Sequence, residues 1–252
     1  IQLALGPLCF RDVVECQDVR YDPEAIAAYY RKRPFQVLSR IFRIIWPLLT
    51  FSVALGWDRL TKNIQTHERQ RAIQLRQILT ELGPAYIKVG QALSTRPDLV
   101  PPIYLEELSQ LQDQLPPFSN EIAYRFIEEE LGDRPAHIFA ELSEKPIAAA
   151  SLGQVYQGKL KTGEVVAVKV QRPDLAQRIS LDLYVLRVLA AWAMGVIKKI
   201  KSDLVGIMDE FGARIYEEMD YVQEGLNAER FGKLYGHLQD IYVPHIYWQY
   251  TN

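Results

Sequence analysis

The sequence predicts an α+β fold, a small sheet with long helices around it and an all-helical region before it. Three observations carry this. Ile73, Leu75, Ile78 and Leu82 recur near helical spacing, and helical patterning continues to Leu131. From Phe139 to Gln171 the pattern changes to short runs, the clearest being VVAVKV at 165–170, rich in β-branched residues as a strand should be. From Ser180 the helical period returns and persists to Phe231.

The chain of 252 residues is enough for one large domain or two small ones. Its 48% hydrophobic and 24% charged content is that of a globular protein. A net charge of −2 gives no overall pull toward nucleic acid, so no nucleic-acid partner is expected. Cys9 and Cys16 make neither a disulfide framework nor a metal site, and are read as ordinary thiols. Arg11 and Asp12 interrupt the early apolar residues, which argues against a signal peptide. The chain begins at Ile1 and breaks off after YVPHIYWQYTN, so a fragment is expected.

In order along the chain, residues 1–35 read as a poorly defined lead-in. FRIIWPLLTFSVALGW (42–57) follows, with no charge between Arg43 and Asp58. That run is shorter than the roughly 20 residues of a membrane span. With Arg40 and Arg43 before it and Trp46 and Trp57 within it, two readings stand: a segment at a membrane interface, or a helix on the protein's own core. A helix over 68–82 ends at Gly83, and Pro84 opens the next, which carries AYIKVGQALS. The loop Arg96–Pro102 leads to a helix over 103–112, and another helix starts at Ser119 or Asn120 and stops before Gly132. Strands are predicted at 139–142, 153–160 and 164–171, the last two joined by a tight turn at Thr162-Gly163. A helix over 180–200 follows, its apolar stretch 184–197 read as core. One long helix then spans 204–231, and a final strand covers 243–250. The domain reading is a lead-in (1–64), a helical extension (65–134) and a sheet-containing lobe (135–252).

Lys169 is the first candidate for chemistry. A lysine inside an apolar strand is costly to bury and needs an anion beside it. The helix over 204–231 offers Glu217, Glu218, Asp220 and Glu224. On one continuous helix Asp220 and Glu224 share a face opposite the apolar stripe Leu204, Met208, Phe211, Ile215, Met219, Val222 and Leu226, while Glu218 points about 120° from Glu224. Lys88 is the second candidate. Gly90 beside it allows close backbone approach, Gln91 adds an amide, and Arg96 and Asp98 follow in a stiff loop.

Four stretches, in order, resemble the UbiB-type atypical kinases, also called aarF-domain kinases: KVGQALSTRPDLVPPIYLEELSQLQD at 88–113, PIAAASLGQVYQGKL at 146–160, VAVK at 166–169 and EEMDYVQEGLNAERF at 217–231. The last is most similar to members from photosynthetic lineages. The resemblance implies a protein-kinase-like small lobe with an antiparallel sheet behind an N-terminal helical extension, the large lobe lying outside this chain. It implies that Lys169 binds nucleotide phosphates with Glu224 as its helix partner. Glu218 and Asp220 form an E-x-D motif that reaches toward Lys88 of the K-x-G-Q motif. Ala148, Ala149, Ala150, Ser151 and Gly153 form a loop over the phosphates, with Val155, Ala167 and Gln91 also lining the nucleotide. The implied cofactor is ATP or ADP with Mg, and the implied partners are a membrane lipid or prenyl-quinone precursor and quinone-biosynthesis proteins. The implied place is peripheral, on a bacterial inner, thylakoid or organelle membrane. Two functions remain open: an ATP-dependent kinase or ATPase in isoprenoid-quinone or lipid metabolism, and a pseudokinase-type, nucleotide-gated scaffold or lipid-binding module at a membrane.

Alanines at 148–150 stand where a kinase has glycines, which reach φ > 0 and bring backbone N–H groups to phosphate. Alanine restricts that, so Ala149→Gly is expected to change the relative affinity for ATP and ADP. None of the four histidines is followed by Gly-Asp or Arg-Asp, and no D-F-G occurs. This stretch alone is therefore expected not to turn over ATP, and no metal ligands are assigned in it.

Overall fold

The computed structural model describes residues 2–5, 20–112, 115–197 and 202–251. Cys9, Cys16, Arg11, Asp12 and the end of the helix expected to reach Ile200 lie outside them. In chain order the elements are β1 (Gln2–Leu5), α1 (Pro23–Arg31), α2 (Pro34–Leu60), α3 (Ile64–Leu82), α4 (Pro84–Ser94), α5 (Pro102–Ser109), α6 (Asn120–Leu131) and α7 (Pro135–Ile138). They continue with β2 (Phe139–Leu142), β3 (Ala148–Ala149), β4 (Gly153–Leu160), β5 (Val165–Gln171), α8 (Leu175–Val196), α9 (Leu204–Met219), α10 (Tyr221–Tyr235) and a 3-10 turn at Trp248–Tyr250. The fold is α+β, with a helical extension and a kinase-like small lobe. Two compact units are present: a helical unit of Asp22–Leu115 and Gln177–Gly212, and a sheet unit of Ile1–Tyr21, Pro116–Ala176 and Ala213–Asn252.

The helical unit starts earlier than the sequence reading. Asp22 caps α1 by accepting from the Glu24 and Ala25 amides at 2.9 and 3.0 Å, with Pro23 in the first turn. So part of the expected lead-in is a capped helix. α2 is much longer than the uncharged run that signals it, because polar residues at both ends continue the helix. It buries Ile44, Phe51 and Asp58, one residue every seven. α2 and α8 are each long and apolar enough to cross a membrane by length and composition, and for α2 this differs from the sequence reading that the 42–57 run is too short. α8 buries Ile179, Leu183, Val185 and Ala190, but Trp192 and Val196 are exposed, so its last turns leave the core.

Polar clasps fasten this unit. Arg40 donates from Nε and one terminal nitrogen to the two carboxylate oxygens of Asp182, at 2.5 and 2.9 Å, and also to the Leu82 carbonyl. Burial raises the Asp182 pKa, and the Arg40 hydrogen bonds act against that rise. Arg40 is thus an internal tie and not the membrane-flanking residue the sequence suggested. Asp58 accepts from Arg71 at 2.6 Å and pairs with His67 at 2.7 Å. These two hydrogen bonds, Arg71 first, hold its carboxyl down at about 2. A depressed carboxylate contributes stability above its unfolded pKa, roughly 3.9, and loses it as pH falls through the folded value. The thermal midpoint is therefore expected to fall between about pH 4 and pH 2, and in Asp58→Asn that part of the acid limb should flatten. An unchanged limb in the variant would remove Asp58 from the acid response.

Gly83 takes φ 107°, a left-handed value open to glycine, and turns α3 into α4. At Gly90 an added Cβ would collide with Leu111 and lie 3.0 Å from Leu79. This glycine lets α4 pack closely among its neighbours.

The sheet runs β1-β5-β4-β2, with β3 also paired to β4. Four strands are antiparallel, and β1 joins β5 in parallel, which makes the sheet mixed. Gly163, at φ 103°, closes the predicted β4–β5 turn. β5 is buried on one face only. Val166, Val168 and Val170 pack with Tyr156, Leu160 and Phe139, and with Ala123 and Ile127 of α6. A polar seam pins the start of α6 beneath β4. The Gln154 amide nitrogen donates to the Tyr156 hydroxyl at 2.5 Å, and that hydroxyl donates to Asn120 at 2.8 Å. Burial pushes the Tyr156 phenol up to about 12. Ser119 occupies the predicted cap position of α6, but its side chain makes no capping bond.

Two sequence expectations fail. The helix expected over 204–231 is two helices, broken at Asp220. Its carboxylate accepts from the Gln223 amide at 2.8 Å and caps α10. The apolar stripe ends with the break: Ile215 and Met219 are buried, but Val222 and Leu226 are exposed. The strand expected at 243–250 does not form. Its Ile246 and Trp248 instead lie against Gly225 of α10, where an added Cβ would come within 2.9 Å of the indole. Trp248 Nε1 donates to Glu229 at 2.6 Å.

Candidate functional site

Alternation along β5 puts Ala167 and Lys169 on the face opposite the valine core. Lys169 is only half-buried, not sealed in the sheet as its sequence context suggests. Across the ladder Val155 pairs with Lys169 on one side and with Ala148 on the other. Directly paired residues share a face, so Ala148, Val155 and Lys169 form one row across three strands. Ala167 lies beside the row, and Gly153 pairs with Gln171 at its end.

The Lys169 ammonium donates to Glu224 Oε2 at 2.6 Å and sits 4.2 Å from the centre of the Tyr221 ring. Both partners come from the first turn of α10, where the helix dipole favours a carboxylate. The break at Asp220 therefore matters to the site, because it starts a new helix whose first turn meets the sheet. Gln171 fixes this placement by donating to the Met219 carbonyl, the last residue of α9, at 3.0 Å. An ammonium has three N–H donors. The arrangement can hold one carboxylate and take a second anion on the open face.

The alanine segment is not a strained glycine loop. Ala148 and Ala149 form β3, paired in register with Val155 and Gln154, and only Ala150–Gly153 turns, closed by the Ala150 amide donating to the Gly153 carbonyl at 2.8 Å. Extended strand residues do not need φ > 0, so alanine fits there without cost. By alternation Ala148 shares the Lys169 face and Ala149 turns away from it. Ser151 is buried in the turn. Gly153 has its own packing reason: an added Cβ would lie 2.6 Å from the Val170 carbonyl and 2.8 Å from the Tyr221 hydroxyl.

Sequence reasoning missed two residues here. Tyr221 is buried beneath Lys169, and its hydroxyl finds no hydrogen-bond partner among the described residues. Burial, with the Glu224 charge adding, raises its phenol pKa. Its signal was its place directly after Asp220. Arg172 donates to the carbonyls of Ala150 at 3.2 Å and Pro116 at 2.9 Å, and so holds the alanine turn. A cation directly after the strand was the only hint.

The remaining expected residues divide between the units. Glu218 is exposed in the last turn of α9, and Asp220 caps α10, so the two no longer share one helix with Glu224. Lys88 and Gln91 belong to α4 in the helical unit. The Gln91 amide nitrogen donates to the Leu111 carbonyl at 2.8 Å, which gives it a structural part within that unit. Arg96 and Asp98 form a two-point ion pair at 2.8 and 2.7 Å on the exposed loop. Among the described residues, no group of three or more His, Cys, Asp or Glu side chains gathers where a metal could sit.

Residues 110–252 match the ABC1 atypical kinase-like domain. The chain is 62% identical to an uncharacterized protein of Synechocystis, over 92% of this chain and 34% of that one. It is 47% identical to Protein ACTIVITY OF BC1 COMPLEX KINASE 3, chloroplastic, of Arabidopsis thaliana, over 92% of this chain and 33% of that one. It thus spans about a third of the length of these relatives. A solved complex of Rv3197 with erythromycin from Mycobacterium tuberculosis is 30% identical, with a TM-score of 0.46, covering 75% of this chain and 47% of that one. The chain belongs to the ABC1 atypical kinase-like family.

Proposed function

We propose that this chain is the nucleotide-binding part of an ATP-dependent atypical kinase or ATPase that serves isoprenoid-quinone biosynthesis or lipid homeostasis at a membrane. The observation that supports it most is the Lys169–Glu224 pair, set on an open sheet face in a row with Val155 and Ala148. Lys169 holds the phosphates of ATP or ADP, and Glu224 orients its ammonium. Val155, Ala167 and the Ala148–Gly153 hairpin line the nucleotide. Glu218 and Asp220 of the E-x-D motif belong to the same sheet unit as Lys169, and Lys88 and Gln91 of the K-x-G-Q motif to the helical unit. Magnesium, bound with the nucleotide, supplies charge neutralisation at the phosphates. The acceptor is a membrane lipid or prenyl-quinone precursor, quinone-biosynthesis proteins are partners, and the protein sits peripherally on a membrane. The chloroplastic Arabidopsis relative favours an organelle membrane.

Ala148→Gly removes the methyl on the Lys169 face, whereas Ala149→Gly removes one pointing away. In the full-length protein, calorimetric titration with Mg-ATP and Mg-ADP is expected to show a several-fold change in their affinity ratio for Ala148→Gly and a smaller one for Ala149→Gly. Equal ratios in both variants and the wild type would contradict a nucleotide on this face.

A further inference from the structure

We propose that α2 is a monotopic foot. It lies flat on an anionic lipid bilayer through one apolar face while its opposite face holds the helical unit together. This deepens the membrane association proposed above and rests on it, but not on the nucleotide reading.

The helix has two distinct faces, one turned inward and one exposed. At about 100° per residue, the inward positions Arg40, Ile44, Phe51 and Asp58 fall within roughly 40° of one another. Phe35, Leu38, Phe42, Ile45, Leu49, Val53, Trp57 and Leu60 step by three and four along the opposite side. All are exposed, from 43% at Ile45 to 86% at Phe35, and Trp46 (57%) stacks beside Phe42. At about 1.5 Å per residue the stripe runs some 38 Å. Arg43 and Arg59, both exposed, fall on the two flanks between the faces.

Charge identifies what covers the stripe. Between Glu24 and Glu68 the only acid is Asp58, which is buried against Arg71, while basic residues stand at 31–33, 40, 43, 59 and 62. A flat helix with an apolar underside, tryptophans at the boundary and arginines at its flanks suits lipid chains below and phosphate headgroups beside it. A second copy fits less well. Paired stripes would bring Arg43 and Arg59 of two molecules together, with none of the flanking acids that helix pairs use to offset such charges. Crossing the bilayer fits no better, because the inward face would have to leave Asp182, whose side chain is 0% exposed in its pair with Arg40.

The test is vesicle flotation of the full-length protein, with phosphatidylcholine alone and with added phosphatidylglycerol. The wild type is expected to float with the anionic vesicles. Phe42→Gln, Trp46→Gln and Leu49→Gln together should lower partitioning by about tenfold or more, with the thermal midpoint unchanged because these side chains are already in solvent. Arg43→Glu with Arg59→Glu should remove most of the preference for anionic over neutral vesicles. A wild type that never floats would end the membrane reading itself. A stripe variant that floats as well as the wild type would end only the role of α2. Extraction that resists alkaline carbonate, or a solution dimer dissolved by the stripe variant, would overturn the flat bilayer contact in favour of a span or a second copy.

Discussion

Replacing Lys169 with alanine in the full-length protein is expected to abolish stabilisation by Mg-nucleotide while barely changing stability without it. The pair it forms with Glu224 is partly open to solvent, with side-chain exposures of 24% and 42%. Such pairs contribute about 0–1 kcal/mol, so the free protein should unfold nearly as before. A ligand at a hundredfold its dissociation constant adds about 2.7 kcal/mol. That gain should be present in the wild type and missing in Lys169→Ala. Glu224→Gln should fall between the two, since an amide still accepts a hydrogen bond but brings no charge. Equal nucleotide-dependent shifts in all three proteins would place the phosphates elsewhere.

Arg40→Ala is expected to give the largest loss of stability in the helical unit. It strands the Asp182 carboxylate, whose side chain is 0% exposed. Leaving one member of a buried pair alone costs about 3–5 kcal/mol. The pH dependence carries a signature. Without Arg40 only the Arg178 charge still opposes the rise that burial imposes on the Asp182 pKa. A carboxyl raised in the folded state favours folding while protonated and loses that advantage as pH rises past its unfolded value, roughly 3.9. The deficit should therefore shrink as pH drops toward 4. Adding Asp182→Leu should recover much of it, because no buried charge then remains. A deficit under about 1 kcal/mol at neutral pH, or one that ignores pH, would show that the clasp does not hold the unit.

Much of the sheet unit was legible because its signals are local. β-branched residues mark β5, Thr162-Gly163 marks the turn, and the VAVK lysine marks the site. The pairing of Lys169 with Glu224 was also readable as a need for charge compensation. What sequence could not show was which face of β5 is core, since Val165 and Ala167 make the open face look apolar too. The helix break at Asp220 was hidden because the three-and-four spacing runs on through Val222 and Leu226. The counter-signal was an Asp with Gln223 three residues later, a capping-box spacing. The same kind of sign, Asp22 before Pro23, marks α1. The failed strand at 243–250 reflects tertiary context. Its β-branched and aromatic residues suit a strand, but Ile246 and Trp248 are taken up by the bare backbone of Gly225. Tyr221 and Arg172 act through contacts distant in sequence, which no periodicity reports.

A nucleotide site on this sheet requires that phosphate join Glu224 at the Lys169 ammonium. A crystal structure of the full-length protein with Mg-ADP tests that directly. It should place a phosphate oxygen about 2.8 Å from Lys169 Nζ, on the face shared with Val155 and Ala148 and with Glu224 still paired. Nucleotide bound elsewhere, or Lys169 in contact with Glu224 alone, would contradict it.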